Sequence, residues 1–332
     1  MKKITVKPVG SLLVWIGLVG VIMVFTFSTT VKTCNKEAVR QVSVELAEVK
    51  VPSTVDFAGE RVPVENFDIR EALERELYIN AYWHSQTLVL LKKSARFFCD
   101  IEPILKKYHL PDDLKYLALA ESGFANISSP AGASGFWQFV PSTAKEYNLE
   151  VNSEVDERYN LEKATEAACK FLQKSYNIYK TWTMAAASYN VGLRGLSKQI
   201  QRQHTDNYYD LLLNEETGRY VFRIVALKLI VSDPAKYGFK MAKEDYYQPI
   251  PHTDITINRP IKDLAAFAFD KKTNYKILKM LNPWLRDNVL TNASGKTYTL
   301  KIPKQGVRKL VKEISREELD RIMKQSEESS VQ

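Results

Sequence analysis

Apolar and polar positions change their rhythm three times along this chain. After a basic start at Lys2, Lys3 and Lys7, the run LLVWIGLVGVIMVF and its continuation to Ser28 carry no charge. An uncharged run of this kind lies between a long signal-peptide core and a short membrane-spanning helix. The basic flank keeps its N-terminal side in the cytoplasm and exports the rest. Thr26-Phe27-Ser28 makes a poor cleavage site, and in VKTC a threonine stands where lipid attachment at Cys34 wants a smaller residue. Residues 1–30 are therefore read as an uncleaved membrane anchor, with a cleaved signal or a lipid anchor as the second reading.

Residues 31–66 lose that pattern. They are mixed in charge, rich in valine and interrupted by Pro52 and Pro63, and read as a stalk. From Phe67 to Tyr247 the apolar period becomes helical. REALERELYINAYW, TLVLLKKSARFFCDIEPILKKY and LEKATEAACKFLQKSYNIY all repeat apolar residues at i, i+3 and i+4. Pro111-Asp112-Asp113 opens a helix, and Pro130, Gly132 and Gly135 break the pattern after it. Residues 67–247 thus predict one all-α domain. After Pro251 the period changes again: DITI reads as a strand, IKDLAAFAF and NYKILKML as short helices, and TYTLKIP as a closing strand. Residues 252–303 predict a small β-α-α-β module. Beyond it, 304–332 read as a charged amphipathic tail, with Val307, Leu310, Val311, Ile314, Ile322 and Met323 at helical spacing. The fold class is mainly α.

Composition narrows the chemistry. The 332 residues carry a net charge of +8, which favours an anionic partner. Nucleic acid is excluded as that partner, because the basic residues are spread along the chain and export removes it from the cytoplasm. The cysteines Cys34, Cys99 and Cys169 and the histidines His84, His109, His204 and His252 form no ligand-spaced group, so no metal or cofactor is expected. Cys99 and Cys169 fit either a bridge in an oxidising compartment or two small core hydrophobes.

One carboxylate stands out. In the helix that opens at Pro111 and runs on into YLALAESGF, Leu114, Leu117 and Glu121 share a face, so Glu121 lies at the inner end of an apolar stripe. Burial disfavours the charged form of a carboxyl and raises its pKa, as a general acid needs. No Asp or Glu occurs from Ser122 to Lys145, so no second carboxylate is supplied locally. The same position also fits a glutamate turned to solvent or bonded to the loop. The following SSPAGASGFWQF joins small residues to Phe136, Trp137 and Gln138, a flat aromatic surface beside an amide that would suit a sugar ring. Further on, TWTMAAASYNVG sets Tyr189 and Asn190 at the end of an alanine-rich helix that Gly192 stops.

ALAESGF (118–124), SPAGASGFWQFVPSTA (129–144), AAASYNVG (185–192) and NEETGRYVFRIVALKLI (214–230), in this order, resemble the lysozyme-like lytic transglycosylases, near their membrane-bound type D branch and related to goose-type lysozyme. The resemblance implies a lysozyme-like helical catalytic domain acting on peptidoglycan glycan strands. It makes Glu121 the sole catalytic acid and places Ser129, Gln138, Tyr189, Asn190 and Tyr220 around the substrate. One departure is that FAN stands where an aromatic-Asn-Pro sequence is common in the family. The implied chemistry needs one carboxyl: Glu121 protonates the oxygen between N-acetylmuramic acid and N-acetylglucosamine. The substrate's N-acetyl group then stabilises the cationic centre, and the C6 hydroxyl closes a 1,6-anhydro ring. A hydrolytic muramidase using the same pocket is the alternative, and a non-catalytic wall-binding scaffold is another. The expected place is the cell envelope, with the catalytic domain in the periplasm.

Residues 252–303 are similar to a diverged LysM-type unit, although INRPIKDL stands where the usual Gly-Asp opens it. The resemblance implies glycan binding. A spacer that packs on the helical domain and binds nothing is the other reading, and exposure of Trp284 is the mark that separates them.

Overall fold

The computed structural model describes residues 49–308 and 315–329. The anchor or signal expected over 1–30, Cys34 and the first part of the expected stalk lie outside the described residues. Among those described, no helix is long and apolar enough to cross a membrane.

The described chain is mainly α-helical, but it opens with a hairpin. β1 (Val55–Phe57) pairs antiparallel with β2 (Glu60–Val62). The turn residues Ala58 and Gly59 take positive φ values of 55° and 81°, the left-handed pair that matches strand twist in a two-residue hairpin. The hairpin corrects the stalk reading for residues 49–66. Val49, Val55, Phe57, Val62 and Val64 are buried in the helical core. Strands of three residues are too short to display a period of two, so only the packing reveals them. Glu60 then reaches the helix that carries Tyr189: its carboxylate accepts from Trp182 N, from Thr183 N at 2.9 Å and from Thr183 Oγ1 at 2.7 Å.

The helical domain follows: α1 (Phe67–Tyr82), α2 (His84–Lys107), α3 (Lys115–Ser122), α4 (Pro141–Glu146), α5 (Leu161–Tyr179), α6 (Trp182–Val191), α7 (Leu193–Gln203) and α8 (Glu215–Ser232). Their N-termini follow sequence-readable rules: Asn160, Thr181 and Asn214 cap α5, α6 and α8 through side-chain oxygens. Apolar stripes meet in one core containing Leu73 and Leu77 of α1, Leu91, Ile101 and Leu105 of α2, Leu117 of α3 and Ile224 of α8. The short α3 packs against both α2 and α8. It begins at Lys115, a buried ammonium held 2.6 Å from both Glu102 and Asp112, and ends at Gly123 with φ 55°.

The C-terminal module has the expected order. β3 (His252–Ile257) pairs antiparallel with β4 (Tyr298–Pro303), and α9 (Leu264–Asp270) and α10 (Tyr275–Leu281) lie between them in sequence. Its core includes Leu264, Leu278, Leu285 and Leu300, and also takes in Val155 and Tyr159 of the helical domain. Trp284 is 4% exposed and stacks on Tyr298. The expected mark of a glycan-binding tryptophan is therefore missing, because the module uses this ring to complete its own core. In the tail, α11 (Arg316–Ser329) presents Ile322 and Met323 to solvent.

Both described cysteines are free. Cys169 is a core hydrophobe whose thiol is pushed up to about 12 by burial. Cys99 is exposed and donates to Ala95 O at 3.2 Å, so neither the bridge nor a second core thiol is found.

The contact between hairpin and α6 yields a first expectation. Glu60→Ala removes a charged cap from α6 and should cost about 1–2 kcal/mol. Urea unfolding, with unchanged helical circular dichroism before the transition, checks this.

Candidate active site

Glu121 occupies the last turn of α3, the helix wedged between α2 and α8. The preceding residues Leu117, Ala118 and Leu119 are almost wholly buried, while Glu121 retains partial accessibility. Packing around the carboxyl is dense enough that burial raises its pKa from 4.5 to about 7. Three neighbours modulate it: the Tyr220 hydrogen bond and the charge of Arg223 lower the value, and the charge of Glu216 raises it. The surroundings of the side chain thus favour its protonated form, one of the readings that its place on the apolar stripe leaves open.

Tyr220 donates its hydroxyl to Glu121 Oε1 at 2.5 Å. Its own phenol is pushed well up, by burial first and by Glu121 second, which keeps it a donor. Helix α8 sets this contact: Glu216, Tyr220 and Arg223 follow i, i+4, i+7 spacing, and all three act on Glu121. Behind them, Glu76 of α1 is buried and bonded by Arg219 Nε at 2.6 Å, with Arg223 Nε 3.8 Å away. This network fixes the rotation of α8 against α1. Glu216 is the second carboxylate that the residues after Glu121 do not supply.

Tyr189 joins the same group. It is among the groups whose charge bears on Tyr220, and Glu121 bears on it in turn. Its hydroxyl donates to Trp137 O at 2.7 Å, and its ring meets Trp137, Phe139 and Phe171 edge-on. Asn190 is tied to α8 rather than projecting freely: its Nδ2 donates to Glu216 Oε1 at 3.2 Å, and its Oδ1 accepts from Thr217 Oγ1 at 2.8 Å.

Gln138 and Ser129 belong to the loop between α3 and α4. Gln138 takes a positive φ of 49°, and its amide donates to Gly135 O at 2.7 Å and Ile127 O at 3.2 Å. Ser129 closes a turn within the loop: its hydroxyl accepts from Ala133 N at 3.1 Å, and its backbone N donates to Ala133 O at 2.8 Å. The structure brings Glu121, Tyr189 and Tyr220 together, links Asn190 to them through α8, and places Gln138 next to the residue that Tyr189 bonds. Ser129 lies on the loop with no contact of its own to Glu121 among the described hydrogen bonds. The aromatic sugar platform expected from Phe136 and Trp137 is corrected. Trp137 is fully buried, with Nε1 donating to Thr165 Oγ1 at 2.8 Å, and Phe136 is 4% exposed. Both rings face the core because the loop must be anchored under its small residues.

Sequence reading missed two sets of residues. Ser122, next to Glu121, donates to Phe136 O at 2.9 Å and accepts from Phe124 N at 3.1 Å, tying the end of α3 to the loop. Arg158 is buried and bonds two loop carbonyls, Gly132 O at 2.7 Å and Phe139 O at 3.1 Å. A buried arginine carries no mark in sequence, since its type is common at surfaces. Among the described residues, no group of three or more His, Cys, Asp or Glu side chains is placed to hold a metal ion.

A buried carboxyl with a raised pKa and a phenol bonded to it are the groups that general acid catalysis uses. Residues 98–212 match the Transglycosylase SLT domain, and residues 253–306 match the Soluble lytic transglycosylase C-terminal LysM-like domain; the chain carries both. It is 27% identical over 263 residues to membrane-bound lytic murein transglycosylase D of Escherichia coli K12, a match covering 75% of this chain and 55% of that protein. The same protein of E. coli O6:H1 gives the same figures. The chain thus spans about half the length of these curated relatives. Among solved structures, the 70 kDa soluble lytic transglycosylase SLT70 from E. coli aligns with a TM-score of 0.38 and 17% identity, covering 62% of this chain and 41% of that one.

Two outcomes test the electrostatics. The folded state holds the Glu121 proton more tightly than the unfolded chain does, so this residue's stabilising contribution is complete below pH 4.5 and lost as pH rises to about 7. Glu121→Gln removes that dependence. The variant should match the wild type at pH 4 and exceed it by up to ~3 kcal/mol at pH 8, measured by denaturant unfolding at both pH values. Tyr220→Phe removes the hydrogen bond that lowers the Glu121 pKa, so its titration should move upward from about 7. Carboxyl ¹³C NMR against pH would read the shift, and a downward shift would contradict the assigned cause.

Proposed function

We propose that this protein is a peptidoglycan lytic transglycosylase that cleaves the β-1,4 bond between N-acetylmuramic acid and N-acetylglucosamine without water and leaves 1,6-anhydro-muramic ends. The observation that carries this reading is Glu121, a buried carboxyl raised to about 7 and bonded by Tyr220. The matched transglycosylase domain supports it.

The chemistry balances with one carboxyl. Protonated Glu121 gives its proton to the bridging oxygen as the C1–O bond breaks, releasing the 4-hydroxyl of N-acetylglucosamine. The neighbouring N-acetyl oxygen of the substrate stabilises the positive charge at C1. Glu121, now a carboxylate, takes the C6 hydroxyl proton while O6 bonds to C1. The acid is regenerated and no water enters. Tyr220 orients the carboxyl throughout. Tyr189 holds the loop through Trp137 O, Gln138 and Ser129 line the glycan path, and Asn190 fixes the α6–α8 corner. A pKa near 7 suits a group that must act first as acid and then as base.

Glu216 supports a second reading, a muramidase that adds water. Its charge raises the Glu121 pKa, and two carboxyls are the usual complement for glycoside hydrolysis. It is exposed and engaged by Asn190 Nδ2, which suits a tie between helices better than a water-activating base. The name of the curated relatives and the apolar N-terminal run support placement in the cell envelope, held at a membrane and facing the wall.

Digestion of purified peptidoglycan followed by mass spectrometry tests the proposal. Products one water lighter than hydrolytic muropeptides are expected, with the rate falling above about pH 7 as Glu121 loses its proton. Glu121→Gln should lower the rate by roughly 10²–10⁴-fold, and Glu216→Gln should leave the product mass unchanged. Products of full hydrolytic mass would make the enzyme a muramidase. No products from folded protein would favour a wall-binding scaffold.

A further inference from the structure

The segment Val155–Tyr159 touches two parts of the molecule that have no other obvious reason to communicate. On one side it supports the substrate loop. Arg158 donates through Nη1 to Gly132 O at 2.7 Å and Phe139 O at 3.1 Å, while Nε and Nη2 grip Asp156 Oδ1 at 2.9 Å and Oδ2 at 2.7 Å. Tyr159 Oη lies 2.8 Å from Ser128 Oγ. Gly135 has φ 80°, and a Cβ there would lie 1.9 Å from Arg158 O, so the loop backbone rests directly on the segment. The two carbonyls bonded by Arg158 bracket the stretch containing Gly135 and Gln138.

On the other side the same residues belong to the C-terminal module. Asp156 N donates to Trp284 O at 2.9 Å, Val155 forms a β-bridge with Leu285, and Arg286 N donates to Glu154 O at 2.7 Å. The Arg286 guanidinium lies 4.2 Å from the centre of the Tyr159 ring. Glu154 Oε2 accepts from Thr291 N at 2.7 Å. Asp156 is the joint: its backbone is held by the module, and its carboxylate orients the arginine that holds the loop.

Phe136 borders a cavity of about 430 Å³ that also reaches Tyr159, Trp284 and Lys301. Besides its buried aromatic anchors, the loop is held by directional polar contacts. A buried guanidinium supplies them only while its carboxylate partner stays aligned.

We propose that the C-terminal module acts as a brace on the substrate loop, transmitted by Asp156 and Arg158 as positioning residues, so that its docking sets the affinity for glycan independently of any glycan bound by the module itself. The inference rests on the proposed function for its kinetic consequence and not for its structural one. Glu154 and Arg286 lie at the docking contact and away from Glu121, and Arg286 is exposed. Loosening the brace there leaves the acid alone, so substrate binding should weaken with little change in the chemical step.

The test uses the full chain with Glu154→Ala/Arg286→Ala, and Arg286→Ala alone should the pair unfold. Amide hydrogen exchange and kinetics on short soluble peptidoglycan glycan fragments are measured together. Exchange should speed up both at 284–291 and in the loop at Ser134, Gly135 and Gln138, whose amides bond within it. KM should rise about 5-fold with kcat and the pH limb unchanged, the signature of lost ground-state binding, and Arg286→Lys should retain most of the wild-type KM. Faster exchange at 284–291 with an unaltered loop and unaltered KM would overturn the proposal. A wild-type chain that cleaves nothing would instead remove the proposed activity, and the exchange measurement would still decide the brace.

Discussion

The contact between Glu121 and Tyr220 governs the arrangement of this molecule. A carboxyl that keeps its proton near neutrality must be taken out of water, yet a carboxyl left without partners would pay the full cost of lost hydration. One phenol from α8 resolves the conflict by bonding the acid in either protonation state. For that contact to persist, α3 must sit between α2 and α8 at a fixed depth. The buried Lys115 cluster holds one end of α3, and Ser122 and Gly123 hold the other. The Glu76–Arg219–Arg223 network sets the rotation of α8.

Around this centre, the site is built from anchors that point away from it. Trp137 and Phe136 are buried and anchor the backbone that flanks them, at Gly135 and the positive-φ Gln138. Tyr189 spends its hydroxyl on Trp137 O, and Arg158 spends its donors on the carbonyls of Gly132 and Phe139. These side chains bond and shape a backbone. That explains why so few of the aromatic residues near the site are exposed.

Reading the chain alone succeeded where spacing carries the information and failed where distance does. Glu121 on its apolar stripe, the alanine-rich helix ending at Gly192 and the strand-helix-helix-strand order after Pro251 are local patterns. The resemblance named Tyr220, which periodicity alone could not do. Misreadings had a common source. Residues 49–66 look like a stalk because a hairpin of two three-residue strands is too short to show alternation. Trp137 and Trp284 suggested sugar platforms because an aromatic ring in a sequence does not reveal which of its faces the fold covers.

What the sequence determined by itself was therefore the helical elements, the strand-helix-helix-strand order after Pro251 and the place of one acid at the end of an apolar stripe, since helical periodicity puts Leu114, Leu117 and Glu121 on one face. Only the tertiary structure decided what that acid meets. Tyr220 is 99 residues away along the chain, and Glu216 and Arg223 arrive on the same helix. It also decided that the C-terminal module docks on Val155–Tyr159 and that the hairpin caps α6 through Glu60. The physical reason is that hydrogen bonds and desolvation depend on distances of a few ångströms between groups remote in sequence, and those distances exist only once the helices have packed.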